Sequence, residues 1–366
     1  MRRLICVFLS FLLLSGCAPS YRIENQAHAV SMGIDIDDGR MTVTVQVPNL
    51  GAANKKEGGT ESSNYQIYSA QADNFETAYN ILEASLPQQL NLTHLKTIVF
   101  SKAFAESDAF IKTIDTFMNV FLVTGSANVI VTEKEAQKLI ENQKPHIGIR
   151  LSITIPSMLS YHAENGYIPL CTLSALYAGL KGRYSTALCP LADTADENKE
   201  TDDPFMPGSI PRTGENKNEY MGAAVFDKNR MVGTLNGYEM QLAYFLMGES
   251  GRIADFAVPY AMRISTRKKR DVQMNFGNEN INLEITLYLD VATLDGKTDV
   301  KDIEKRLKSD FEMVIKKCQQ MAVEPFGLAE SAAKAFKDYT DFEEFDWLKQ
   351  FEKANVRILM ELNGEK

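Results

Sequence analysis

Two periods run through this chain. One alternates apolar and polar residues singly, and the other repeats apolar residues every three or four positions. Met41 to Val47 reads Met-Thr-Val-Thr-Val-Gln-Val, the pattern of a half-buried strand. His28 to Asp37 reads as another, and Asp38-Gly39 between them predicts the turn of a β-hairpin. Tyr65 to Gln71 is a further strand. Asp73-Asn74-Phe75-Glu76 is a capping-box pattern, opening a helix with Phe75, Ala78, Tyr79, Leu82 and Leu86 on one face. Pro87 ends it, because proline lacks the N–H that the next turn needs. Leu95 to Phe100 and Asn128 to Val131 are short apolar strands. Between them Phe110, Ile111, Ile114, Phe117, Met118 and Phe121 predict that Lys102 to Leu122 is largely helix. Thr132-Glu133-Lys134-Glu135 is a second capping box, for a helix to about Gln143. Residues Ile149 to His162 fit strand or helix.

The pattern lapses over Ala192 to Asn218, which holds Asp193, Asp196, Glu197, Glu200, Asp202 and Asp203, then Pro204, Pro207 and Pro211. Charge and proline with little apolar content favour a solvated segment. Residues 192–218 therefore read as an acidic, proline-rich linker, with a long loop inside one domain as the other reading. An N-terminal α/β domain spans 17–191 and a C-terminal α+β domain spans 219–366. The second domain opens with a hairpin, Tyr220 to Phe226 and Met231 to Leu235, and Asn236-Gly237-Tyr238-Glu239 caps a helix to about Met247. Strands follow at Ala257 to Thr266, Val272 to Phe276 and Ile281 to Val291. Ile303, Leu307, Phe311, Val314, Ile315 and Cys318 then share one face of a long helix from Val300 to Met321. Helices at about Phe326–Phe336 and Phe342–Phe351, and a closing strand at Val356–Leu362, complete the chain. The fold class is α+β: mixed and antiparallel sheets packed with helices, in two to three domains.

The first residues differ in kind. Arg2 and Arg3 precede an almost wholly apolar run, Leu4 to Leu14, and Leu14-Ser15-Gly16-Cys17 follows. The run has the length of a signal-peptide core and falls short of the ~20 residues of a spanning helix. Small residues before a cut and a thiol directly after it make a lipobox pattern. Residues 1–16 read as a lipoprotein signal peptide, and Cys17 as the lipidated first residue of the mature chain.

Of the 366 residues, 45% are hydrophobic, enough for a sizeable core, and the formal net charge is −9. An acidic surface excludes the phosphate-driven binding of nucleic acids. With Cys6 in the leader and Cys17 lipidated, Cys171, Cys189 and Cys318 remain. Cys171 and Cys189 can pair in an oxidising compartment or stay as separate buried thiols. No C-x-x-C or His-Glu-x-x-His occurs among the four histidines His28, His94, His146 and His162, so no metal site is expected. Gly248-Glu249-Ser250-Gly251 has the wrong spacing for a nucleophile elbow. Gly296-Lys297-Thr298 lacks a P-loop's first glycine, since position 291 is Val291. His94 reads as structural, and Glu343-Glu344 as a solvated helix face. Arg267-Lys268-Lys269-Arg270 reads as a charged hairpin turn, or as a contact for anionic lipid or an acidic partner. No catalytic residue and no cofactor site is expected.

With the lipobox in place, four further segments carry a resemblance. They are Glu24-Asn25-Gln26-Ala27 leading into Val30-Ser31-Met32-Gly33-Ile34-Asp35, and Leu92-Thr93-His94-Leu95-Lys96-Thr97-Ile98-Val99-Phe100-Ser101. The third is Gly222-Ala223-Ala224-Val225-Phe226 with Met231-Val232-Gly233-Thr234-Leu235-Asn236-Gly237, and the last is Glu324-Pro325-Phe326-Gly327. In this order they resemble the Ger(x)C family of germinant-receptor lipoproteins, over nearly the whole length. Two features depart from the family pattern: Ala18-Pro19 stands where Trp usually follows the lipid cysteine, and Glu324-Pro325 stands in its Asp-x-Phe-Gly.

The resemblance implies a multi-domain α+β fold. It implies a non-enzymatic subunit of a nutrient germinant receptor acting in spore germination. Cys17 would carry an N-palmitoyl and an S-diacylglycerol group, anchoring the chain on the outer face of a membrane, the inner membrane of the spore. Its partners would be two integral-membrane receptor subunits. The rival reading is a solute-binding lipoprotein of a nutrient uptake or sensing system.

Overall fold

The computed structural model describes residues 25–49, 65–121, 123–143, 151–195, 203–210, 217–248, 252–256, 261–277, 280–293 and 300–365. The architecture is α+β, as the sequence predicts. The Asp38-Gly39 hairpin joins β2 (Ser31–Asp37) to β3 (Arg40–Pro48). Both turn residues have positive φ, 46° and 77°, as the tight turn that matches strand twist requires. β4 (Tyr65–Ala72) adds antiparallel to β3. On its other side β2 pairs in parallel with β6 (Thr97–Ser101), which is followed by parallel β7 (Asn128–Thr132) and β8 (Ala187–Thr194). Antiparallel β9 (Asn218–Phe226) and β10 (Met231–Leu235) finish an eight-stranded mixed sheet, in the order β10-β9-β8-β7-β6-β2-β3-β4. One sheet therefore runs across the expected linker at 192–218, and the first two strands of the expected second domain complete the sheet of the first. Residues 203–210 of that segment lie against the body. The Asp203 carboxylate accepts from Asn236 Nδ2 (2.8 Å), and the Phe205 ring lies 5.6 Å from that of Tyr238.

Strand alternation sorts side chains to the two faces. Ile98, Phe100, Val129 and Val131 enter one core, while Val99 and Ile130 enter another. The first face is covered by α1 (Phe75–Ser85), α2 (Lys102–Ala105), α3 (Ala109–Asn119) and α6 (Leu173–Lys181). Helix α1 is capped by Asn74, whose side chain accepts from Thr77 N, one residue later than the capping-box pattern places it. The helix expected over 102–122 is broken between α2 and α3. Ser101 caps the first piece, and the break lets Phe104 and Phe110 both reach Phe100, with ring centroids 5.5 and 5.4 Å away. The second face is covered by α4 (Ala136–Glu141) and α5 (Leu151–Glu164). Helix α5 resolves the segment that fitted strand or helix. Leu151, Ile155, Leu159 and Ala163 are buried on one helical stripe even though Pro156 lies within it.

β9 joins the two halves. Ala224 and Phe226 enter the first core, and Ala223 and Val225 enter the core of the second half. Between the pairs Ala192–Tyr220 and Pro190–Ala223, β9 holds one residue more than β8, a bulge that turns the alternation over. Gly222 sits in it at φ +87°, and a Cβ there would lie 2.4 Å from the Leu235 carbonyl oxygen. Only glycine fits this crossing of β9 and β10.

In the second half β11 (Ile253–Phe256), β12 (Met262–Phe276) and β13 (Ile281–Thr293) are antiparallel, and β14 (Asn355–Glu365) is parallel to β13. One face packs on α8 (Val300–Gln320) through Ile303, Leu307, Phe311 and Val314. Helix α7 (Gly237–Met247) begins with the expected box. Asn236 Oδ1 accepts from Glu239 N, and Glu239 Oε2 from Asn236 N, both at 2.8 Å. Glu239 also takes Lys317 Nζ at 2.6 Å, which docks α7 on α8. The short helices expected after Pro325 are three: α9 (Leu328–Ala333), α10 (Tyr339–Glu344) and α11 (Trp347–Lys353).

Arg267 to Arg270 do not form a turn. They lie inside β12, which runs on through two register shifts, between Thr266 and Lys268 and between Lys268 and Asp271. The bulges absorb four consecutive charges by spreading them in direction. Arg267 faces Glu361, Lys268 Nζ stands 3.5 Å over the Tyr288 ring, and Arg270 Nη2 donates to the Phe326 carbonyl at 2.7 Å.

Candidate functional site

Cys17, the site residue expected from the sequence, lies outside the described residues. So do His146, Glu249-Ser250-Gly251 and Gly296-Lys297-Thr298. The described chain begins just before β1 (Gln26–His28), which pairs in parallel with β5 (Gln89–Asn91). Asn91 Nδ2 donates to Gln26 Oε1 at 2.8 Å, and the His28 and His94 rings meet nearly edge to face with centroids 4.6 Å apart. Burial, then the neighbouring His94, lowers the pKa of His28. His94 thus packs against the end of β1.

A groove of about 550 Å³ lies where the halves meet, lined by Glu164, Leu170, Cys171, Leu188, Tyr244 and Arg252 among others. Polar contacts from α7, β9 and Arg252 reach the end of α5 and the loop after it. Tyr244 Oη donates to Ile168 O (2.9 Å), Gln241 Nε2 to Asn165 O (3.1 Å) and Gly222 N to Tyr167 O (2.7 Å). Arg252 stacks 3.8 Å over the Tyr244 ring and donates to Ala163 O at 3.1 Å. The lining of the groove thus includes the Glu164 carboxylate and the Arg252 guanidinium, the latter already engaged. Among the described residues no cluster of three or more His, Cys, Asp or Glu side chains is set to hold a metal ion.

The remaining motifs are joints. On β2, Gly33 leaves room for α4: a Cβ there would stand 2.8 Å from Ile140 Cδ1. Two residues on, Asp35 caps that helix from outside it, with Oδ1 accepting from Ala136 N (2.6 Å) and Oδ2 from Gln137 N (3.0 Å). The box expected at Thr132–Glu135 does not form, because Thr132 belongs to β7 and Glu135 makes no side-chain cap. In the second half Glu324 is buried beneath Pro325-Phe326-Gly327. Its Oε1 accepts from Phe326 N (2.7 Å), and its Oε2 from Ala329 N (3.0 Å) and from the Trp347 indole (3.4 Å).

Two family models account for most of this chain. "Spore germination protein N-terminal domain" matches residues 20–194, and "Spore germination B3/GerAC like, C-terminal" matches 221–363. The chain belongs to the Ger(x)C family of spore germination proteins. A protein named for spore germination, YfkR of Bacillus subtilis (strain 168), is 19% identical over 97% of this chain and 92% of its own length. The crystal structure of the GerBC protein shares the fold, with a TM-score of 0.51 over 92% of this chain and 97% of that one, at 16% identity.

Within this Ger(x)C chain, the segments that carried the resemblance hold the fold at its crossings. Gly33 and Asp35 seat α4, Gly222 lets β9 pass β10, and Glu324 closes the turn into α9. Asp35→Ala should remove both acceptors from the start of α4 and destabilise the protein by about 2 kcal/mol, the upper end for a lost cap. Asp35→Asn, which keeps one acceptor oxygen, should cost roughly half of that. Urea unfolding measures both, and midpoints equal to wild type would mean that α4 does not depend on this cap.

Proposed function

We propose that this chain is the lipid-anchored, non-enzymatic subunit of a nutrient germinant receptor in spores. Acylation of Cys17 would hold it on the outer face of the spore inner membrane beside two integral-membrane subunits. The observation that carries the reading is the family match: two spore-germination models in order, over nearly everything after the lipobox. Geometry is consistent with it. Cys17 precedes Gln26 by about nine residues, which span roughly 30 Å at most when extended. On this reading the β1–β5 corner, with His28 and His94, is the part of the body nearest the bilayer. No helix among the described residues is long and apolar enough to cross a membrane. The full chain has a formal charge of −9, and without the two leader arginines the body carries −9 − 2 = −11, so it gains little from anionic headgroups and acyl chains must supply the attachment.

The test uses spores in which this receptor is the sole one retained. Deleting this chain should abolish germination in response to the receptor's nutrients. A tagged, functional copy should bring down two multi-span proteins from detergent-solubilised spore membranes. Unchanged germination, together with a pull-down free of membrane proteins, would remove the receptor reading.

A further inference from the structure

We propose that Cys171 and Cys189 are joined by a disulfide in the mature protein. Their Sγ atoms lie 3.0 Å apart, and both residues are buried in the first core. Both backbones are held by neighbours that leave the side chains facing each other. Cys171 O accepts from Val129 N at 2.8 Å, next to the Asn128–Thr172 bridge, and Thr172 caps α6. Cys189 is in register with Ala224 in the β8–β9 ladder. Helix α6 lies so close on β8 that a Cβ at Gly179 would stand 2.6 Å from Ala187 Cβ. The sulfurs need to close by only about 1 Å to reach bonding distance. Cys318 lies in the other core, on α8, where burial, then Glu239 and Glu324, push its thiol up to about 12.

The chemistry suits a body outside the cytoplasm, and so the inference rests on the placement proposed above. Two thiols release two protons and pass two electrons to an accepting disulfide, either that of an oxidised thiol–disulfide oxidoreductase or a small-molecule disulfide. The acceptor leaves as two thiols. Burial raises the pKa of Cys189 well above an ordinary thiol, which makes it a poor nucleophile once folded. The bond therefore forms before the core closes and is shielded afterwards. It would tie the start of α6 to β8, and with it the groove wall to which Cys171 belongs.

Trypsin provides the test, because Lys181 and Arg183 lie between the two cysteines. The full chain is extracted from native membranes, denatured in iodoacetamide without reductant, and digested. Peptides 151–181 and 184–199 should run as one species, two hydrogens lighter than their sum, and separate on reduction, while Cys318 alone is alkylated. In parallel, the reduced full chain is refolded with oxidised and reduced glutathione and digested alike; it should give the same linked pair. Alkylation of all three thiols in the native protein overturns the proposal, and the refolded sample then locates the failure. A linked pair there faults the extracytoplasmic placement, whereas unlinked peptides fault the geometry.

Discussion

Cys17→Ala, carried behind a leader that is removed without lipidation, should leave membranes entirely and fractionate as a water-soluble protein. The native chain should stay with them through high salt and enter the detergent phase on phase separation. The expected effect is large because each buried methylene contributes about 0.8 kcal/mol, so the two chains of the diacylglycerol alone amount to on the order of 20 kcal/mol. Nothing else in the chain approaches that. On the proposed reading the apolar run at Leu4–Leu14 leaves with the leader, and the acidic body is not drawn to anionic lipid. High salt separates the two mechanisms, since it screens charge within about 3 Å at 1 M and leaves acyl burial intact. The measurement belongs in cells that lack the proposed membrane partners, where protein contacts cannot hold the variant. Retention of the variant in salt-washed membranes there would rule out the acyl anchor.

Much of the fold was legible because its causes are local. The Asp38-Gly39 turn, the Asn236–Glu239 box, the alternation of β13 and the stripe of α8 each lie within a few residues of one another, and each recurs in the structure. What could not be read depends on partners far along the chain. Asp35 caps a helix that starts about a hundred residues later, whereas the local pattern points to Thr132–Glu135. The basic run interrupts alternation and so resembles a turn, but bulges allow a strand to keep its pairing while losing its period. Strand order has the same origin. β13 pairs in parallel with β14, more than sixty residues away, and parallel pairing leaves no turn signal between the partners. The acidic composition of 192–218 hid that β8 and β9, on either side of it, are neighbours in one sheet. The groove was not legible for a related reason: its walls come mainly from α5, β8, α7 and the approach to β11, and apart from Pro325 the residues that line it belong to no motif.

Glu324→Ala should be the most damaging substitution in the second half, lowering stability by about 4 kcal/mol. The side chain is 1% exposed and is the acceptor for the Phe326 and Ala329 amides, with the Trp347 indole at longer range. Alanine leaves those donors buried without an acceptor, at about 1–3 kcal/mol each, and opens a void beneath Phe326 and Trp347. Relief from burying a carboxylate offsets part of this. Glu324→Gln fills the void but presents an NH₂ group to one of the amides, and should cost about 2 kcal/mol. The pH dependence of that second variant is informative. Burial raises the pKa of Glu324 against the pull of its hydrogen-bond donors. The fold therefore binds this proton more tightly than the unfolded chain does. Its contribution is fully present below the unfolded pKa and is lost as pH rises through the raised one. Glutamine does not titrate, so the gap between wild type and Glu324→Gln should narrow as pH rises through that window. The chain's one tryptophan is Trp347, fully buried beside this carboxylate, so its emission reports the site directly during denaturant unfolding. A Glu324→Ala midpoint close to wild type, or a gap that widens with pH, would mean that the turn into α9 is held by its apolar contacts and not by this buried acid.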